Sequence, residues 1–236
     1  MMSDDLIDGF VLHSRPYRET SALVDIFSQQ LGKVSVVAKG LRGKRNPKKS
    51  LLQLFQPLQF QLSGKSELKN LGHIEIAGKP YHFSGHVLFS AMYLNELLNR
   101  LLMKEFAYPE IYDIYVETLN QLSVREIEPL LREFELGLLQ ALGYGIDFTA
   151  DWQHQEAIHA EHYYGFVHEH GWQKLDNNHQ HANCFKGSDL IAIAELNWQS
   201  TSLAAAKKIT RMALRPLLGD KPLKSRELFA PVVRTE

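Results

Sequence analysis

Near residue 80 the spacing of apolar residues changes from two to between three and four, which argues against one uniform architecture. Before that point Leu58, Phe60 and Leu62 alternate with Gln59 and Gln61, the pattern of a strand with one dry face. Segments 8–13, 20–28, 33–39 and 67–77 are short and rich in Val, Ile, Leu and Phe, and Gly32, Gly40, Gly43, Pro47 and Ser63-Gly64 punctuate them as turns. Five short strands in about 75 residues predict a small closed barrel, OB-like or SH3-like. After residue 80, Val87, Ala91, Leu94, Leu98 and Leu101 form one helical stripe. Pro109 suits the first position of a second helix carrying Ile111, Ile114, Tyr115, Leu119 and Leu122. A third helix is expected from Glu128 to Leu142, stopping at Gly143, and a fourth from Ser202 to Leu218, interrupted or ended near Pro216. Residues 147–187 read as an irregular insert with two short strands around 161–175.

Net charge over the 236 residues is −1, but the average conceals a split. Residues 1–80 carry 12 Lys/Arg against 7 Asp/Glu, and the remainder 14 against 20. Such asymmetry points to a polyanion partner for the front of the chain. The only cysteine, Cys184, excludes an internal disulfide and a thiolate zinc cage within one chain. An acidic start, Met1-Met-Ser-Asp-Asp5, and the lack of a long apolar run predict a cytoplasmic protein without a membrane span.

The densest cationic feature is Lys39-Gly-Leu-Arg42-Gly-Lys44-Arg45-Asn-Pro-Lys48-Lys49, within a stretch from 26 to 66 that holds no acid. Glycines and proline keep it off a helix, so it is expected to be a loop able to follow a phosphate backbone. A solvated charged loop is the plainer alternative. A second feature is the ridge Lys207, Arg211, Arg215 at i, i+4, i+8, with Lys208 beside it and no acid between 196 and 219. It suits DNA or an acidic peptide.

Enzymatic signatures are weak. Seven of eleven histidines fall in the insert, as the pairs His159/His162, His168/His170 and His179/His181 with His154 apart, but no His-Glu-x-x-His occurs. Ser63-Gly-Lys-Ser66 lacks the leading glycine of a phosphate loop, and Asp25, Asp147 and Asp151 are isolated in sequence.

Phe10-Val-Leu-His-Ser-Arg-Pro-Tyr-Arg-Glu-Thr-Ser21, Val37-Ala-Lys-Gly40, Tyr93-Leu-Asn-Glu-Leu-Leu98, Leu142-Gly-Tyr-Gly145 and Lys221-Pro-Leu-Lys-Ser-Arg-Glu-Leu228 together resemble the RecO family of bacterial recombination mediators, in order from about residue 8 to 230. The resemblance implies an α+β protein: an N-terminal OB-fold barrel (1–80), then a helical domain (81–236) with an inserted subdomain at about 147–187. It implies a non-enzymatic DNA repair role without cofactor. Its partners would be single- and double-stranded DNA, RecR and the acidic C-terminal tail of single-strand-binding protein (SSB), at the nucleoid, with no membrane or small-molecule substrate. Carried over by position, Arg15, Lys39, Arg42, Lys44 and Arg45 would face DNA, and the loop extends the set to Lys48 and Lys49. Arg132, in Leu131-Arg-Glu-Phe134, would meet the SSB tail, with Lys207, Arg211 and Arg215 nearby. Zinc-binding members use four cysteines in the insert; this chain has one, so no metal is expected. The rival readings are a metal-dependent nucleic-acid-processing enzyme and an adaptor for acidic peptides with little DNA affinity.

Overall fold

The computed structural model describes residues 6–41, 48–64, 68–175 and 183–229. Five strands close a barrel: β1 (Ile7–Tyr17), β2 (Ser21–Ser28), β3 (Gly32–Ala38), then a one-turn helix α1 (Lys48–Leu51), β4 (Leu58–Ser63) and β5 (Lys69–Ile76). Their order around the barrel is β1-β2-β3-β5-β4, with β3 and β5 parallel and β4 returning to β1 at Ile7–Gly9. This is the OB-type arrangement rather than an SH3-like one. Ala22, Val24, Ile26, Val34, Val36, Leu58 and Phe60 fill the interior. The alternation in β4 is observed as expected, since Leu58 and Phe60 are fully buried while Gln59 bonds the Asp8 carboxylate at 3.0 Å.

β2 is buried along its whole length, which explains its nearly continuous apolar run. Its outward Phe27 packs edge-on against Tyr112 and Tyr115 of α3 (Pro109–Gln121), which follows α2 (Gly85–Leu101). At Leu12 the β1–β2 register slips. The Asn95 amide of α2 donates to the Val11 and Leu12 carbonyls at 3.3 and 3.4 Å, and the Tyr115 hydroxyl donates to Asn95 at 2.7 Å. A bulge leaves backbone groups out of the ladder, and here a buried side chain takes them up.

Compactness divides the chain elsewhere than at the change of periodicity: residues 1–124 with 221–236 form one unit, and 125–220 the other. The barrel therefore shares its unit with α2, α3 and a C-terminal 3-10 turn (Lys224–Phe229). Glu96 of α2 holds that turn, accepting the Lys224 N–H at 2.9 Å, the Ser225 N–H at 2.8 Å and the Ser225 hydroxyl at 2.6 Å.

The second unit contains α4 (Ile127–Ala141), strands β6 (Tyr163–Val167), β7 (Gly171–Leu175) and β8 (Cys184–Lys186), then α5 (Gly187–Ala194) and α6 (Ser200–Leu218). The insert is more regular than its polar sequence indicates. Its three strands form a sheet β7-β6-β8, and α5 was not anticipated. Trp172 is fully buried, its ring centroid 5.2–5.6 Å from those of Phe148, Phe166 and Phe185. A few aromatics spread through a polar stretch leave little periodicity to read. α6 continues past Pro216 to Leu218, because a proline in the last turn removes only one hydrogen bond, and Gly219 turns the chain at φ 65°.

Gly32 is held at φ 69°, where a Cβ would lie 1.7 Å from the Phe106 carbonyl oxygen. Gly143 also has positive φ (84°) but faces open space. Gly32→Ala should therefore lower stability by about 3 kcal/mol and Gly143→Ala by about 1 kcal/mol, measurable by calorimetry.

Burial works to raise the Glu96 carboxyl, but the bonds from Ser225 and Lys224, with Arg100 nearby, outweigh it and hold it below the ordinary glutamate value. A carboxylate with a lowered folded value contributes stability above its unfolded value and loses it as pH falls through the folded one. Glu96→Gln should flatten the loss of stability below about pH 4.5, checked by thermal melts across pH 3–7.

Candidate nucleic-acid and acidic-peptide interface

Alternation along the sheet decides which cations face outward. Ala22, Val24 and Val36 point into the barrel, so their neighbours Leu23 and Val37 lie on the outer face. Arg15 pairs with Leu23, and Leu23 with Val37, which puts Arg15 on that outer face. Lys39 follows in the turn directly after β3. Both Arg15 and Lys39 are exposed, and Arg15 makes no ion pair among the described residues. Past the bulge at Leu12, β1 turns solvent-exposed from His13 to Pro16, so Arg15 sits on a two-stranded extension of the barrel with β2. At its tip Arg18 lies 5.2 Å from the Tyr17 ring centroid, a cation–aromatic pair that sequence reasoning missed. An isolated Arg beside Tyr carries no spacing signal. Asp25, on the same outer face, is nearly buried and accepts the Ser35 hydroxyl at 2.6 Å.

Lys39 opens the β3–β4 connection. Arg42, Lys44 and Arg45 lie outside the described residues. Lys48 resumes the chain in α1 and donates to the Gly72 carbonyl at 2.6 Å, so its ammonium is tied to the barrel wall. Lys49 is exposed and makes no ion pair among the described residues.

In the second unit the expected cations separate into two environments. Ala204, Lys207, Lys208, Arg211, Met212 and Arg215 line a depression of 350 Å³ along α6. Arg211 and Arg215 are exposed and have no carboxylate within ion-pair distance among the described residues. Lys207 pairs with Glu128 at 2.8 Å, and that bond draws the Glu128 carboxyl below its ordinary value. Lys208 lies over the Phe185 ring at 5.1 Å. Arg132 is not on the surface. It is 6% exposed, donates to Glu135 at 2.8 Å and to the Thr210 hydroxyl at 3.4 Å, and its Nε has no partner. Thr210 in turn donates to Glu135. The group joins α4 to α6.

The isolated carboxylates have structural duties. Asp147 caps the Thr149 N–H and hydroxyl, and Asp151 accepts three backbone N–H groups, from Gln153, His154 and Glu156. Burial raises the Asp151 carboxyl, but those bonds overcome it and lower its value. Among the described residues no three His, Cys, Asp or Glu side chains gather into a metal-holding group. The His159 and His162 rings are 5.4 Å apart, while His179 and His181 lie outside the described residues. The four-thiolate donor set of zinc-binding RecO members does not fit a chain whose single cysteine sits on β8. No helix among the described residues is long and apolar enough to cross a membrane.

Comparison with known proteins agrees with this architecture. Residues 2–79 match the family described as Recombination protein O N terminal, and residues 82–227 match Recombination protein O C terminal. The DNA repair protein RecO of Pseudoalteromonas atlantica is 48% identical over 229 residues, covering 97% of this chain and 95% of that protein. That of Vibrio cholerae is 44% identical over 230 residues (97% and 95%), and that of Aliivibrio fischeri 42% over 236 (99% of each). With the closed five-stranded barrel, the helical remainder and both family matches in sequence order, this chain belongs to the RecO family of DNA repair proteins.

Proposed function

We propose that the chain acts by binding alone, as a recombination mediator. In this reading it holds single- and double-stranded DNA, anneals complementary strands and, with RecR, helps RecA load onto DNA coated by SSB in the cytoplasm. The observation that carries it is the exposed Arg15 on the outer face of the barrel's β1–β2 extension, together with the exposed Lys39 directly after β3, where the acid-free loop begins. Cations on such a face neutralise phosphates and release counterions, and two strands held there repel each other less. Annealing by charge screening needs no cofactor. Residues 1–80 then supply the DNA-binding module and residues 81–236 recruit partners.

The α6 depression is the proposed seat of the SSB tail. An acidic peptide ending in an apolar residue suits a shallow groove in which Met212 and Ala204 lie among Arg211, Arg215 and the lysines. Arg132 supports this groove from behind.

If four of these cations touch phosphates, log affinity for single strands should fall with log salt at a slope of about −3. Replacing Arg15, Lys39 and Lys49 together by Ala should reduce that slope by about 2, read by fluorescence anisotropy from 50 to 300 mM salt. An unchanged slope would remove this face from the interface. Incubation with labelled DNA and Mg²⁺, Mn²⁺ or Zn²⁺ should give no specific cleavage.

Arg211→Ala with Arg215→Ala should weaken binding of an SSB tail peptide about tenfold or more by calorimetry while leaving the DNA salt slope intact. Arg132→Ala is a poorer probe, since it strands a buried carboxylate and should cost about 3 kcal/mol of stability whatever binds outside.

A further inference from the structure

The barrel-containing unit has a cleft of 510 Å³ between the start of β1, the end of β5 and one face of α3. Its walls are Phe10, Tyr81 and Tyr112, and its polar groups include Asp8, Gln29 and Asn120. Neither family match nor the charge argument assigns it a role.

Two features indicate a ligand. Asp8 receives only neutral donors, Gln59 at 3.0 Å and Gln30 at 3.4 Å, and has no cation within ion-pair distance among the described residues. Tyr112 is 8% exposed, yet its phenol makes no hydrogen bond among the described residues although it lines the cleft. Burial, and next the Asp8 carboxylate, push its ionisation upward, so it remains a neutral hydroxyl. The cleft therefore presents a carboxylate met only by neutral amides beside a phenol oxygen that no protein group uses, so both retain lone pairs for a donor entering from the cleft.

The remaining surface narrows the ligand class. Tyr81 donates to the Asn120 side-chain oxygen at 2.8 Å and stacks on Phe83, with centroids 6.0 Å apart. The cleft thus offers acceptors close to aromatic rings. A planar cation with several donors matches that combination better than a point charge or an anion. Lys79 at the rim is exposed and does not pair with Asp8. It is the lining group that would favour a phosphate-bearing ligand instead.

We infer that this cleft is a recognition site for an arginine side chain of a partner protein, with the guanidinium meeting Asp8 and the Tyr112 oxygen and its methylenes resting on the aromatic walls.

The test is an NMR titration of the full chain with the capped tripeptide Gly-Arg-Gly, its lysine and citrulline counterparts, and AMP. The arginine peptide should saturate at millimolar or lower concentration, with shifts concentrated at Asp8, Tyr81 and Tyr112, while citrulline should not bind. Asp8→Asn, which keeps an acceptor for Gln59 and gives up only the long, exposed Gln30 bond, should melt close to the parent and is expected to weaken binding about tenfold, and Tyr112→Phe about threefold. Lys79→Ala should tighten the arginine peptide. Preferential AMP binding that weakens in Lys79→Ala would overturn the proposal in favour of a nucleotide. Lysine binding as well as arginine, indifference to Asp8→Asn, or no saturation by about 20 mM would each overturn it too.

Discussion

The barrel depends on a polar contact of the kind that apolar packing cannot replace. Asn95, oriented by the Tyr115 hydroxyl, donates to two β1 carbonyls at the bulge around Leu12. Left unpaired in that buried position, such carbonyls would cost about 1–3 kcal/mol each. With them satisfied, β1 can close the barrel against β4 at one end and run out with β2 at the other. The outward course of Arg15 is therefore set from inside, by a side chain 80 residues later in the chain. It also explains why α2 and α3 belong to the barrel's unit rather than to the rest of the helices.

Charge in the second unit is sorted by the same logic. Arg132, Lys207, Arg211 and Arg215 are alike by composition, but desolvation treats them differently. A buried guanidinium is tolerable only with Glu135 and Thr210 around it, so Arg132 has become part of the α4–α6 seam. Arg211 and Arg215 keep their hydration and hence their availability to a partner. Lys207 stands between the two, shared with Glu128 in solvent where such a pair is worth little.

The described part of the insert is ordered around an aromatic cluster. Its three strands and α5 surround Trp172, Tyr164 and Phe185, with Leu190, Ile193, Ala206 and Ile209 completing the cluster. Large aromatic side chains bury enough area to hold a short sheet against helices. Gly187 permits the close approach, since a Cβ there would lie 2.0 Å from the His159 carbonyl oxygen.

Period and punctuation were readable without coordinates: the alternation of Leu58 and Phe60, the helix start at Pro109 and stop at Gly143, and the cation run from Lys39 to Lys49 each depend on neighbours a few residues away. The family likeness rested on the same local strings. What they could not reveal was the β1 bulge, the burial of Arg132, the tethering of Lys48 to Gly72, or the sheet hidden in residues 163–186. Each of these follows from contacts between segments distant in sequence. Side-chain type and spacing fix what a residue can do, but its desolvation and its partners are set only when the chain folds back on itself.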